Sequence, residues 1–120
     1  VKLNMSKNEL GKGPEAGKAL GEMLKVNSVL KELDVSSNTY YDRGYNKTDP
    51  EFASGLAVGL GANGALTTLN ISSNSLSDAG ADALASALKA PSCALTSVDA
   101  SDNKLTDKGK KALQQAASSR

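Results

Sequence analysis

Three stretches of the chain share one spacing of leucine, asparagine and other apolar residues. They begin at Leu30, Leu66 and Leu95 and read LKELDVSSNTY, LTTLNISSNSL and LTSVDASDNKL. A fourth copy, KLNMSKNEL, begins at Lys2 and lacks the first positions of the pattern. Such a period predicts a stack of similar units, because one unit cannot bury its own apolar face and needs neighbours to cover it.

An asparagine lies two residues before the end of the shared stretch in every copy. These residues are Asn8, Asn38, Asn74 and Asn103, and they are separated by 30, 36 and 29 residues. A sharp turn leaves backbone N–H and C=O groups in need of partners, and a buried Asn side chain can serve both kinds of group. We therefore assign the four residues to a structural asparagine ladder rather than to a polar row of binding residues.

Each copy is predicted to form a short strand followed by an outer helix. The strand should place two side chains in the core: Leu3 with Met5, Leu33 with Val35, Leu69 with Ile71, and Val98 with Ala100. In the segment after Leu76, Leu84 and Leu88 are four residues apart, which is the spacing of one helix face. Asp78 is expected at the N-cap or in the first turn of that helix.

The pattern L-x-x-L-x-L-x-x-N-x-L resembles the consensus of the leucine-rich-repeat family, within it the long-repeat, ribonuclease-inhibitor-like and Ran-activator-like subclass. The resemblance implies an α/β fold: a right-handed solenoid in a horseshoe arc, with a parallel sheet on the concave face and helices on the convex face. We expect one domain over residues 1–120, with repeats at about 1–29, 30–65, 66–94 and 95–120. We also expect it to be a fragment of a longer chain.

The concave face is the usual docking surface in this family, and the resemblance carries that role to six residues. These are Glu32, Asp34, Thr68, Asn70, Asp99 and Ser101. The face is small, polar and mildly acidic, and it has none of the Trp, Tyr or Arg residues that dominate many interfaces. The alternative is that these residues are simply solvated strand positions.

The second repeat carries roughly eight more residues than its neighbours, in an insertion near 41–49 that reads YDRGYNKTD. Tyr41, Arg43 and Tyr45 have no place in the repeat pattern, so we regard them as candidate contact residues for a partner. The alternative is that the tyrosines fold back over the base of their own loop. Tyr40 is expected in the core, at the position that leucine holds in the other repeats, and Phe52 near the start of the outer helix.

The composition argues against catalysis. The chain has no histidine for acid–base work near neutral pH and a single cysteine, so neither an intrachain disulfide nor a four-ligand zinc site of Cys and His is available. We expect no cofactor and no metal. The net charge of +1 gives no field for nucleic acid or a membrane surface, and the lone thiol favours an intracellular location.

These observations predict a protein-binding module that acts as a scaffold or recognition surface. One alternative is a GTPase-activating protein by similarity to the Ran activator, in which Arg43 would be the residue presented to the GTPase. Another alternative is a purely structural segment of a larger solenoid. Since the strand of the first repeat has no repeat before it, we also expect edge-to-edge self-association there.

Overall fold

The computed structural model describes residues 1–118; residues 119–120, at the end of the predicted fourth repeat, lie outside the described part. Ten elements follow one another along the chain. They are β1 (Lys2–Asn4), α1 (Glu15–Val26), β2 (Glu32–Asp34), β3 (Tyr40–Asp42), β4 (Tyr45–Lys47), α2 (Pro50–Ala62), β5 (Thr68–Asn70), α3 (Asp78–Lys89), β6 (Ser97–Asp99) and α4 (Asp107–Ser118). None of the described helices is both long and apolar enough to cross a membrane.

The strands of the four repeats form one parallel sheet in the order β1, β2, β5, β6. Their register follows the sequence pattern without a slip, so that Leu3, Leu33, Leu69 and Val98 are aligned across the sheet. Consecutive helices pack side by side, and the core lies between the helix layer and the sheet. The spacing of the pattern therefore sets both the register of the strands and the layering of the core.

The predicted strand core forms fully only in the two middle repeats. Leu33, Val35, Leu69 and Ile71 are at most 1% exposed. In the first repeat Leu3 is 37% exposed and Met5 half-buried, and in the last repeat Val98 and Ala100 are half-buried. The prediction that all four pairs lie in the core is confirmed for the two middle repeats. It is wrong for Leu3, and Met5, Val98 and Ala100 are only partly buried, because in this structure each of the outer two repeats is covered by a described repeat on one side only.

The asparagines connect neighbouring turns by a repeating set of hydrogen bonds. The backbone N–H of Asn38 donates to Oδ1 of Asn74 at 2.7 Å, and that of Asn74 donates to Oδ1 of Asn103 at 2.8 Å. The Nδ2 group of Asn74 donates to the carbonyls of Val35 and Ile71. Asn38, Asn74 and Asn103 are at most 3% exposed, whereas Asn8, in the first described repeat, is exposed.

The turns around these asparagines use left-handed backbone on both sides. In the third repeat, Ser73 has φ 56° and Ser75 has φ 53°, and the first and fourth repeats show the same pair of positive φ angles. The second repeat has only the first member, Ser37 with φ 54°. The chain leaves the common path immediately after Asn38, and this is where the additional residues of the second repeat begin.

Glycines set the spacing of the first two helices. A Cβ atom added to Gly59 of α2 would lie 2.6 Å from Cα of Gly21 in α1, and one added to Gly55 would lie 2.8 Å from the carbonyl carbon of Gly17. Distances this short between carbon atoms are not tolerated. The two backbones therefore touch, and glycine is required at the contact because any larger residue would separate the helices.

The starts of α2 and α4 are stabilised in two different ways. Asp49 caps α2 by accepting a hydrogen bond from the N–H of Glu51 at 2.9 Å, and Pro50 follows at the first helical position. Asp78 lies in the first turn of α3, after Ser77 at the N-cap. Its carboxylate accepts hydrogen bonds from the N–H and the hydroxyl of Thr106, immediately before α4. One repeat thus supplies a hydrogen-bond acceptor to the helix start of the next.

Candidate functional site

The insertion forms a β-hairpin, Tyr40–Lys47, which we call the hairpin. β3 and β4 pair antiparallel, with Tyr40 opposite Lys47 and Asp42 opposite Tyr45. Arg43 and Gly44 connect them with φ angles of 53° and 90°, as a two-residue turn of the type I′ class requires. The sequence indicated only an insertion here, and the structure shows that the insertion contains a β-hairpin.

The hairpin exposes its aromatic and basic side chains. Tyr41 is 71% and Tyr45 66% exposed, and the Arg43 side chain is 89% exposed. Because side chains alternate between the faces of a strand pair, Tyr41 lies on one face, and Tyr45 lies on the other with Asp42 opposite it. Exposures this high argue against the alternative in which the tyrosines pack over the base of their own loop. Tyr40 is half-buried rather than fully in the core.

Three hydrogen bonds connect the hairpin and its flanks to other repeats. The hydroxyl of Thr48 donates to the carbonyl of Asn74 in the third repeat. The N–H of Asp49 donates to the carbonyl of Gly11 in the first repeat at 2.7 Å. Nζ of Lys104 in the fourth repeat donates to the carbonyl of Asn46 at 3.1 Å. The hairpin is therefore held along the row of asparagine turns.

The charges on the hairpin form a small exposed network. The Asp42 carboxylate is 3.2 Å from Nζ of Lys47 and 4.0 Å from Nε of Arg43. Since all three side chains are substantially exposed, these ion pairs add little to stability. The Arg43 guanidinium therefore lies next to one acidic group, Asp42, and is otherwise accessible to a partner.

The other candidate surface, which we call the sheet face, consists of the outward positions of the four parallel strands. One row reads Lys2, Glu32, Thr68 and Ser97, and the adjacent row reads Asn4, Asp34, Asn70 and Asp99. A shallow groove of about 250 Å³ runs over them. The structure thus brings together five of the six residues proposed from the sequence, and the sixth, Ser101, follows two residues after Asp99.

The second row of the sheet face is engaged in local hydrogen bonds. Oδ1 of Asp99 accepts from the N–H of Ser101 at 3.0 Å and from its hydroxyl at 2.7 Å, and the same pair of bonds connects Asn70 to Ser72. These bonds, that of the Ser101 hydroxyl first, lower the pKa of the Asp99 carboxyl below its usual value. Each of these side chains therefore has a structural task at the strand end, which sequence reasoning did not foresee.

Two further structural asparagines, Asn27 and Asn63, were missed from the sequence. Asn63, at the end of α2, is 3% exposed; its Nδ2 group donates to the carbonyls of Leu24 and Asn27, and its Oδ1 accepts from the N–H groups of Ala65 and Leu66. Asn27 occupies the equivalent place three residues before Leu30. The shared spacing of asparagine and leucine was a signal from which both could have been found.

Comparison with known proteins agrees with the repeated turns and strands. The family model described as "Leucine Rich repeat" matches residues 26–39 and 63–85, which include β2 and β5. These two segments match leucine-rich repeats. No curated protein matches the sequence.

The solved structure of "Leiomodin-1 Actin-Binding Site 2 (ABS2)" is similar to these leucine-rich repeats, with a TM-score of 0.75. The sequences are 23% identical over 96% of this chain, and this chain spans 62% of the length of that one. At this identity the similarity concerns the fold alone. It confirms the predicted α/β repeat architecture of a parallel sheet with helices.

Proposed function

We propose that this leucine-rich-repeat chain is a protein-binding module whose principal contact surface is the hairpin. The observation that carries the proposal is the exposure of Tyr41 and Tyr45, 71% and 66%, beside the Arg43 side chain. Tyrosine and arginine are enriched among the residues that contribute most to protein–protein affinity. Neither tyrosine occupies a repeat position or fills the core, so the stability of the fold does not account for them.

The attachment of the hairpin supports the same conclusion. Lys104, Thr48 and Asp49 tie it or its flanks to three different repeats, and the I′ turn matches the natural twist of the strands. A binding element that is held in place before the partner arrives loses less conformational entropy on binding. The hairpin therefore has both the residue types and the attachment that a recognition element needs.

The test is a binding comparison between the intact chain and the double variant Tyr41→Ala/Tyr45→Ala. This variant keeps Thr48 and Asp49, whereas a deletion of residues 41–49 would remove both and leave α2 without its N-cap. The matched control is Val26→Ala/Val29→Ala, which truncates two other exposed apolar side chains, 85% and 59% exposed, away from the hairpin. Proteins captured from lysate are measured first, and purified actin is the first defined candidate because the similar structure is that of an actin-binding site.

We expect the tyrosine variant to lose the partner and the valine control to keep it. Loss of two interface tyrosines should weaken binding by about 2 kcal/mol or more, which is at least about thirtyfold. Partners retained equally by both variants would move the contact to the sheet face, where Asp34, Asn70 and Asp99 would be changed next. Failure of the intact chain to bind any protein would leave the purely structural alternative.

We further propose the long-repeat, ribonuclease-inhibitor-like subclass with a right-handed, horseshoe-shaped solenoid. Each repeat here carries a helix of 12 or 13 residues between its parallel strands, and such crossovers are right-handed in nearly all known proteins.

An intracellular location is also a proposal, supported by the single cysteine.

We propose that the chain is not an enzyme, because it has no histidine and no nucleophile with an activating base was recognised in its sequence. The Ran-activator-like alternative depends on Arg43 alone. Single-turnover GTP hydrolysis by a panel of small GTPases tests it directly. An acceleration that Arg43→Ala abolishes would replace the proposal of a purely binding role.

A further inference from the structure

The hairpin stands apart from the other strands and helices. Among residues 1–118, β3 and β4 pack against each other and against no other strand or helix. The hydrogen bonds that hold the hairpin come from its flanks and from the Lys104 side chain. The hairpin is thus a separate two-stranded sheet with two outer edges, one on β3 and one on β4.

The backbone groups that face outward belong to Tyr41 on β3 and Asn46 on β4. In a hairpin closed by a two-residue turn, the residues beside the turn, here Asp42 and Tyr45, form a hydrogen-bonded pair. The next pair, Tyr41 with Asn46, therefore points its N–H and C=O groups away from the partner strand. The carbonyl of Asn46 agrees with this direction, because it accepts a hydrogen bond from Nζ of Lys104 outside the hairpin.

The edge of β4 is protected, whereas the edge of β3 is open. On β4, Lys104 occupies the carbonyl of Asn46, and Lys47 adds a charge to the strand itself. On β3, neither the N–H nor the C=O of Tyr41 has a hydrogen-bond partner among residues 1–118, and the one charged residue, Asp42, is paired with Lys47. Since an unpaired sheet edge is a template for another strand, β3 is the edge at which a strand can be added.

The Tyr41 side chain gives this edge an apolar contact as well. It is 71% exposed, and tyrosine favours strands and pairs well with aromatic and β-branched residues of a neighbouring strand. Proteins that bind a peptide by strand addition use this combination: main-chain hydrogen bonds supply affinity, and side-chain contacts supply specificity.

We propose that the protein partner of the hairpin binds as an extended segment that adds a third strand to β3; this inference rests on the proposed function of the hairpin. The segment pairs its N–H and C=O groups with those of Tyr41 and places an aromatic or β-branched residue beside the Tyr41 ring. A second copy of this chain is a poorer occupant. β3 has 3 residues and is about 10 Å long, so a pairing confined to two copies of β3 falls well short of the roughly 1,200 Å² that a stable interface buries.

The test uses a displayed library of random short peptides, which is selected on the intact chain, and the selected peptides are synthesised for affinity measurement. Tyr41→Pro removes the outward N–H of β3, and Asn46→Pro is the matched control on the β4 edge. Proline is compatible with both positions, because their N–H groups lie outside the hydrogen bonds between β3 and β4 and the preceding residues are extended. We expect Tyr41→Pro to weaken peptide binding at least about tenfold, and Asn46→Pro to change it by no more than about twofold.

Tyr41→Ala separates the ring from the backbone group, since it removes the ring and keeps the N–H. It should retain more affinity than Tyr41→Pro. Circular dichroism establishes that each variant is folded. If Tyr41→Pro binds the peptides as well as Asn46→Pro does, the strand addition is overturned.

A second measurement leaves the protein unaltered and decides the question even if Tyr41→Pro does not fold. Each residue of a selected peptide is N-methylated in turn, and the affinity for the intact chain is measured. Because only alternate N–H groups of a strand face one neighbour, we expect losses at every second residue of the paired part and not between them. Losses without this alternation would overturn the proposal.

The failure of this proposal and the failure of the proposed function give different results. If Tyr41→Ala/Tyr45→Ala abolishes peptide binding but the proline and methylation series show no strand pattern, the hairpin remains the contact surface and the strand addition is overturned. If the double variant binds the peptides as well as the intact chain does, or if no peptide binds the intact chain, both are overturned. Self-association of the intact chain that Tyr41→Pro abolishes would overturn the choice of occupant in favour of a second copy.

Discussion

At the scale of single residues, the buried asparagines stabilise the fold because their side chains bond to backbone groups of neighbouring repeats. Asn74 is fully buried and bonded to the second, third and fourth repeats at once, through the N–H of Asn38, the carbonyls of Val35 and Ile71, and its own N–H to Asn103. The side chain thus replaces backbone partners that the turn cannot supply. Its amide, with two donors and an acceptor, fits this task better than any carboxylate would.

Replacement of Asn74 by Ala should lower the free energy of unfolding by about 2 kcal/mol or more, since each buried group left without a partner costs about 1–3 kcal/mol. Urea denaturation followed by circular dichroism measures the change. Asn8→Ala, at the exposed equivalent position, is the control and should cost much less. Equal stability of the Asn74 variant and the unaltered chain would remove the ladder as a source of stability.

Asp78 should make the stability of the chain depend on pH in the acid range. The hydrogen bond from the Thr106 hydroxyl, followed by that from its N–H, lowers the pKa of the Asp78 carboxyl below its usual value of 3.8. A lowered folded-state pKa means that the contribution is present above pH 3.8 and is lost as the pH falls through the folded-state value.

Asp78→Ala should therefore melt at a lower temperature than the unaltered chain at neutral pH, and the difference should shrink as the pH falls below 3.8. Thermal melts between neutral and strongly acidic pH measure this. Asp82→Ala is the control in the same helix, because Asp82 is exposed and has no hydrogen-bond partner for its side chain among residues 1–118. A difference between the Asp78 variant and the unaltered chain that is constant with pH would exclude the carboxylate as its cause.

At the scale of elements, the contact between α1 and α2 depends on glycine. Gly59→Ala should destabilise the chain, although alanine favours a helix by about 1 kcal/mol over glycine. The added carbon would clash with the backbone of Gly21, and backbone atoms cannot move away as a flexible side chain can. Gly61→Ala in the same helix is the matched control, since the nearest atom to its added carbon is Cβ of Ala90 at 3.4 Å. Chemical denaturation should show opposite signs for the two variants, and a stabilised Gly59 variant would contradict the close contact.

The elements also show where sequence reasoning reached its limit. The strands and outer helices follow from a pattern that occurs four times, and so do the register of the sheet and the core of the two middle repeats. The hairpin occurs once, and its turn depends on a positive φ at Arg43, a residue type that does not signal it. The hydrogen bonds of Asp99 to Ser101 were also unforeseen, because spacing alone does not distinguish a solvated carboxylate from one engaged at a strand end.

At the scale of the whole molecule, stability should be greatest in the middle of the stack. Amide exchange of Val35 and Ile71 should be slower than that of Ala100 by about two orders of magnitude or more. The first two N–H groups donate to the carbonyls of Asn70 and Asp99, whereas the N–H of Ala100 has no acceptor among residues 1–118. Hydrogen–deuterium exchange at a concentration that keeps the chain monomeric measures this. Uniform exchange along the chain would instead indicate that all repeats unfold together.

The position after Asn38 has a consequence for design. The three other turns continue with a second left-handed residue, while at Thr39 the chain departs into eight residues of hairpin and returns at Thr48 without disturbing the alignment of β2 and β5. Foreign segments with closely spaced ends could be grafted between Thr39 and Thr48 and displayed from a rigid frame. The segment between Thr39 and Thr48 is thus a site at which one recognition loop can be exchanged for another without a change in the repeats that carry it.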